Sequence, residues 1–134
     1  MKNKLLMLII GAAFMILLIS VGFLIHLKRL HSSLSYIQTV GQYVQQGKLD
    51  DAVALLKHTL SKNPRNAEAH AAVGMIYNKK DLCDDALSEL KTALSIKPDL
   101  IGIYQEMYLV YKKKGMEDEA QRALDSYEKL KGSK

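Results

Sequence analysis

One short acidic phrase is written three times in this chain, 34 residues apart: Asp50-Asp51-Ala52, Asp84-Asp85-Ala86 and Asp118-Glu119-Ala120. Nine residues before each alanine stands a tyrosine (Tyr43, Tyr77, Tyr111), and four residues after each stands a leucine (Leu56, Leu90, Leu124). Pro64 and Pro98 keep the same interval. A period of this length is the mark of a repeat architecture, in which each unit is too small to bury its own apolar face and does so by stacking on the next. The units are residues 33–66, 67–100 and 101–134.

Within each unit the apolar spacing is helical. Tyr36, Val40 and Tyr43 fall on one face, as do His70, Val73, Gly74 and Tyr77, and then Tyr104, Met107, Tyr108 and Tyr111. Gly47, Asp81 and Gly115 interrupt these runs as turns. The carboxylates that follow suit the free amides and positive dipole end of a second helix. That helix presents Ala52, Leu55, Leu56, Thr59 and Leu60 inward, then Ala86, Leu90, Ala93 and Leu94, then Ala120, Leu124 and Tyr127. Asn63-Pro64 and Pro98 stop it, because a residue before proline is pushed out of helical geometry. The expected fold is all-α: three stacked helix-turn-helix repeats.

Ahead of the repeats, Leu5 to Ile25 is an uncharged run of 21 residues, flanked by Lys2 and Lys4 and by Lys28 and Arg29. As a helix it would be about 31 Å long, against about 30 Å for a bilayer's hydrocarbon core. It exceeds the apolar stretch of a signal peptide and ends without a small-x-small cleavage site. Residues 1–29 therefore read as a single-pass transmembrane anchor and 30–134 as the repeat domain. Ser32 or Ser33 is placed to cap the first repeat helix, with no Pro- or Gly-rich linker between anchor and domain. The slight excess of positive charge at the N-terminus puts that end in the cytoplasm and the repeats on the extracytoplasmic side.

The formal net charge is +5, but Lys2, Lys4, Lys28 and Arg29 supply four of those charges. The repeat domain is nearly neutral, unlike the concentrated basic face of a nucleic-acid binder. Cys83 is the only cysteine, which excludes an internal disulfide. The four histidines (His26, His31, His58, His70) show no metal-ligand spacing, and His70 falls on a core-facing position as a packed imidazole. No glycine-rich phosphate loop or nucleophile constellation is present. We expect no enzyme activity, cofactor or metal.

The 34-residue unit resembles the tetratricopeptide repeat, whose pattern runs aromatic, Leu-Gly, Tyr, Ala, large apolar, Pro. The second unit carries it best, with Val73-Gly74, Tyr77, Ala86, Leu90, Ala93 and Pro98. The first unit departs at Thr39-Val40. The third departs at Tyr108 and Tyr127, where small residues are usual, so it is expected to be splayed or atypical. The resemblance implies a curved ribbon whose concave face, lined by the first helix of each unit, holds a partner's segment. On this sequence that lining comprises Leu34, Ile37, Gly41 and Val44, then Glu68, Ala71, Met75, Asn78 and Lys79, then Gln105, Leu109, Lys112 and Lys113. Read so, it is an apolar floor with a basic rim, suited to a ligand with apolar anchors and an acidic end. The alternative is that Lys79, Lys80 and Lys112–Lys114 are solvated turn residues. The carboxylate clamp of cochaperone repeats is not reproduced, since the matching positions hold Ile37, Gly41, Ala72, Gly102 and Glu106.

Two roles follow from the resemblance. One is a membrane-anchored scaffold, adaptor or assembly factor, similar in build to bacterial inner-membrane factors for envelope assembly, secretion or cytochrome maturation. The other is an accessory subunit held by the membrane helix and an uncapped third repeat. Tyr127 and Leu130 either stay partly uncovered, inviting self-association through the C-terminal repeat, or fill the groove themselves.

Overall fold

The computed structural model describes the backbone from residue 2 to residue 133; the side chains of residues 2, 5 and 29–35 lie outside the described residues. Six helices account for the described backbone: α1 (Lys2–Gln45), α2 (Leu49–Lys62), α3 (Ala67–Lys79), α4 (Cys83–Ile96), α5 (Ile101–Lys113) and α6 (Glu117–Lys131). The chain divides into two compact units, Met1–Thr39 and Val40–Lys134.

In the first unit, Leu6–Lys28 is a helical stretch of 23 residues, long and apolar enough to cross a membrane, and its side chains are exposed all round. Its one hydroxyl, Ser20, donates to the Ile16 carbonyl at 2.8 Å, back along its own helix. The cap expected at Ser32 or Ser33 falls on side chains outside the described residues. The backbone stays helical through both residues, so no helix begins there and no free amides need capping.

In the second unit the repeat is visible turn by turn. At residues 47, 81 and 115 the backbone is left-handed, with φ of 72°, 59° and 71°. Two hydrogen bonds enclose each of these positions. Lys48, Leu82 and Met116 donate back to the carbonyls of Tyr43, Tyr77 and Tyr111 at 2.8, 3.0 and 3.0 Å, and residues 47, 81 and 115 donate to Val44, Asn78 and Lys112 at 3.1 Å each. This paired closure satisfies carbonyls that a helix end would otherwise leave open, and it needs a left-handed residue at its centre. The tyrosine nine residues before each alanine therefore marks a fixed place in the turn.

The acidic phrases act from inside the helices. α2, α4 and α6 begin at Leu49, Cys83 and Glu117, with Lys48, Leu82 and Met116 at the cap and no side-chain cap bond. Asp50 and Asp51, Asp84 and Asp85, and Asp118 and Glu119 thus sit in the first turn and favour it through the helix dipole. Among the described residues a side-chain cap forms at α3: Asn66 Oδ1 accepts from the Ala69 amide at 2.9 Å. Asn63 and Lys97 leave helical geometry just before the prolines.

The organising alanines are at the packed crossings. Ala52 and Ala86 are 0% exposed and Ala120 1%. Leu56 and Leu90 are fully buried. Gly74 allows the closest approach of α3 to α4: a Cβ there would stand 2.8 Å from Leu90 Cγ and 3.1 Å from the Ala86 carbonyl oxygen. The third pair is not splayed. α5 and α6 pack along their length as α3 and α4 do. Tyr108, at the position of Gly74, leans half-exposed against the core instead of being buried between the helices, and Leu124 is half-exposed where Leu90 is buried.

Turn lysines tie successive repeats together. Lys80 pairs with Asp50 and Lys114 with Asp84, the same contact one repeat later.

Candidate partner-binding groove

The first helices α3 and α5 lie side by side, with the second helices behind them. Between them opens a cavity of about 520 Å³. Glu68, Ala71, Ala72 and Met75 line it from α3, Leu90 from α4, Asp99 and Leu100 from the connecting loop, and Ile101, Gly102, Ile103, Gln105 and Glu106 from α5. The spacing 68, 71, 72, 75 is one helical face. Small residues (Ala71, Ala72, Gly102) leave the room, and Met75 and Ile103 give it an apolar wall.

Of the residues expected to line the concave face, Glu68, Ala71, Met75 and Gln105 border the cavity. Met75 and Leu109 are exposed apolar side chains, 42% and 44% accessible. Val44 is half-buried and Gly41 exposed, and neither borders the cavity. Ile37 is exposed in the first unit, and the side chain of Leu34 lies outside the described residues. Asn78 differs from the expectation: it is only 7% exposed. Its Nδ2 donates to Glu106 Oε2 at 3.4 Å, and its Oδ1 is buried without a donor.

The expected basic rim does not border the cavity, because most of its lysines are turned to the chain's own acceptors. Lys112 donates to Glu117 at 2.7 and 2.9 Å. That carboxylate raises its pKa above the ordinary lysine value. Lys113 donates to the Asn78 carbonyl at 2.8 Å and to Asp81 at 2.9 Å. Lys79 is exposed and, among the described residues, makes no ion pair. The charged side chains that do border the cavity are all carboxylates: Glu68, Asp99 and Glu106. Glu68 is paired with Lys97 at 3.0 Å, which holds its pKa below the usual carboxylate range.

His70 is half-buried and polar in its contacts, a correction to the packed imidazole expected. Nδ1 is 2.6 Å from Glu89 Oε2 and Nε2 is 3.0 Å from the Pro64 carbonyl oxygen. Both partners only accept, so both ring nitrogens must carry hydrogen for both bonds to form, which requires the imidazolium. Burial lowers the His70 pKa, but the bonds to Glu89 and Pro64 outweigh it and the net shift is upward. No sequence signal links residues 19 positions apart on different helices. Cys83 is a free, half-buried thiol packed against the core. Among the described residues no three His, Cys, Asp or Glu side chains converge on one point.

Residues 43–99 match the family model of the tetratricopeptide repeat. Among solved structures, a crystal structure of MamA is similar with a TM-score of 0.69 and 24% identity, over 73% of this chain and 57% of that one. MamA AMB-1 gives a TM-score of 0.62 and 26% identity, over 68% of this chain and 54% of that one. MamA MSR-1 gives 0.66 and 24%, over 73% and 56%. The chain spans a little over half the length of these structures. No curated protein matches it. In sequence period and turn geometry, residues 43–99 are similar to tetratricopeptide repeats.

Proposed function

We propose that this protein is a membrane-anchored interaction module, a scaffold, adaptor or assembly factor, that holds a segment of a partner protein in the groove between α3 and α5. The observation that carries the reading is the cavity itself: a concave, largely apolar site of about 520 Å³ bordered by an exposed Met75. Such a site suits a peptide segment with a side-chain anchor. Leu6–Lys28 supplies the anchor, by length and composition. With the N-terminus cytoplasmic, the repeats work on the extracytoplasmic side of a bacterial inner membrane. No catalysis is assigned to the groove.

A second reading rests on the exposure of every described side chain in Leu6–Lys28. A helix apolar on all sides can contact membrane subunits as well as lipid, which would make the chain an accessory subunit. Replacing residues 6–28 by an unrelated apolar span of equal length separates the two. If co-purification of partners from membranes survives the replacement and is lost in the cavity-filling variant Ala72→Trp, the groove carries recognition. The opposite pattern makes the membrane helix the interface.

A further inference from the structure

Resting on the groove reading above, we infer that the segment held between α3 and α5 is cationic: an arginine or lysine beside an apolar anchor. The cavity has an apolar wall (Ala72, Met75, Ile103) and three bordering charges, all negative. Lys97 already neutralises Glu68. Asp99 and Glu106 have no ion-pair partner among the described residues. Glu106 receives one long bond, 3.4 Å, from Asn78 Nδ2.

An unpaired carboxylate at the edge of an apolar cavity asks for N–H donors. A guanidinium carries five donors in a planar fork and no acceptor. Placed at this end of the groove it reaches Glu106, while the neighbouring apolar side chain fills the space over Ala72 and Met75. A carboxylate in the same place would face Asp99 and Glu106 with no nearby unengaged lysine. The acid-ended ligand expected from the lysine-rich turns is thereby replaced by one of opposite charge.

The test is an array of synthetic decapeptides on a serine-glycine background. Each carries one leucine and, at varied offsets, arginine, glutamine or glutamate. The array is probed with the labelled full-length chain in detergent micelles. We expect the arginine series to be retained about tenfold or more above the glutamine series, with the glutamate series lowest. Glu106→Gln removes the arginine advantage, and Glu106→Lys moves retention to the glutamate series. Asp99→Lys, at an exposed loop residue, repeats the reversal if Glu106→Lys does not fold. Ala72→Trp should abolish retention of every series. Retention that Ala72→Trp abolishes but that ignores charge, or favours glutamate, overturns the cationic assignment and leaves the groove reading standing. Retention unaffected by Ala72→Trp, or no retention of any peptide, overturns both.

Discussion

Gly74→Ala tests the close crossing of α3 and α4. In an ordinary helix interior this change stabilises by about 1 kcal/mol, because alanine is the better helix former. At residue 74 the new Cβ would stand 2.8 Å from Leu90 Cγ, 2.9 Å from Leu90 Cδ2 and 3.1 Å from the Ala86 carbonyl oxygen. Leu90 is fully buried and cannot swing into solvent. The Ala86 oxygen is backbone and moves only with α4. Overpacking of this kind costs roughly 2–3 kcal/mol, so the net effect is a loss of about 1–2 kcal/mol. Gly102 is the control, a helical glycine whose Cβ would meet nothing within 4 Å. There Gly→Ala should stabilise by about 0.5–1 kcal/mol. The assay is urea denaturation of the full-length chain in micelles, followed by circular dichroism with the slope held as a check. The double variant Gly74→Ala with Leu90→Ala should lose less than the sum of the single losses, since truncating Leu90 removes the clash. If Gly74→Ala stabilises as Gly102→Ala does, α3 and α4 do not approach as described and the reasoning fails.

Gly115→Ala, at φ 71°, should cost about 1–2 kcal/mol in the same assay through the left-handed backbone. Stability should also depend on His70. Its folded pKa is raised above 6.5, so the His70 contribution is complete below the unfolded pKa and lost as pH rises through the folded one. Urea titrations from acid to alkaline pH should show this decline, and Glu89→Gln and His70→Gln should flatten it. Lys114→Met removes the partner of Asp84, but the aspartate is exposed, so the expected loss is small and shrinks further in salt.

The repeat was readable because its period is imposed by geometry. Ala52, Ala86 and Ala120 recur where two helix backbones come closest, and all are buried. Gly47, Asp81 and Gly115 recur where the chain must turn left-handed. The tyrosines carried a signal whose meaning appeared only in the structure: their carbonyls close the turns. The acidic pairs pointed to helix starts, yet they work within the first turn and not as caps.

What sequence could not show is which side chains from different helices meet. The His70–Glu89 pair joins two helices of one hairpin, and Lys80 and Lys114 reach carboxylates 30 residues away. Mapping the first helices onto a concave face found Glu68, Ala71, Met75 and Gln105. It missed Asp99 and Leu100, which come from a loop, and Leu90, which comes from the helix behind. It also set Asn78 in the open, where the structure buries it against Glu106. The lysines that made the rim read as basic do not border the cavity, and the charged side chains that do are carboxylates.

The most direct measurement is photocrosslinking from single sites in the full-length chain in its native cells. A benzophenone side chain in place of Met75 or Gln105 faces the groove, while one in place of Arg122 or Asp125, exposed on α6, does not. The account predicts a discrete partner crosslinked from the first two sites, competed by an arginine-bearing peptide, and none from the α6 sites. Crosslinking of that partner from α6 and not from Met75 or Gln105 would contradict it.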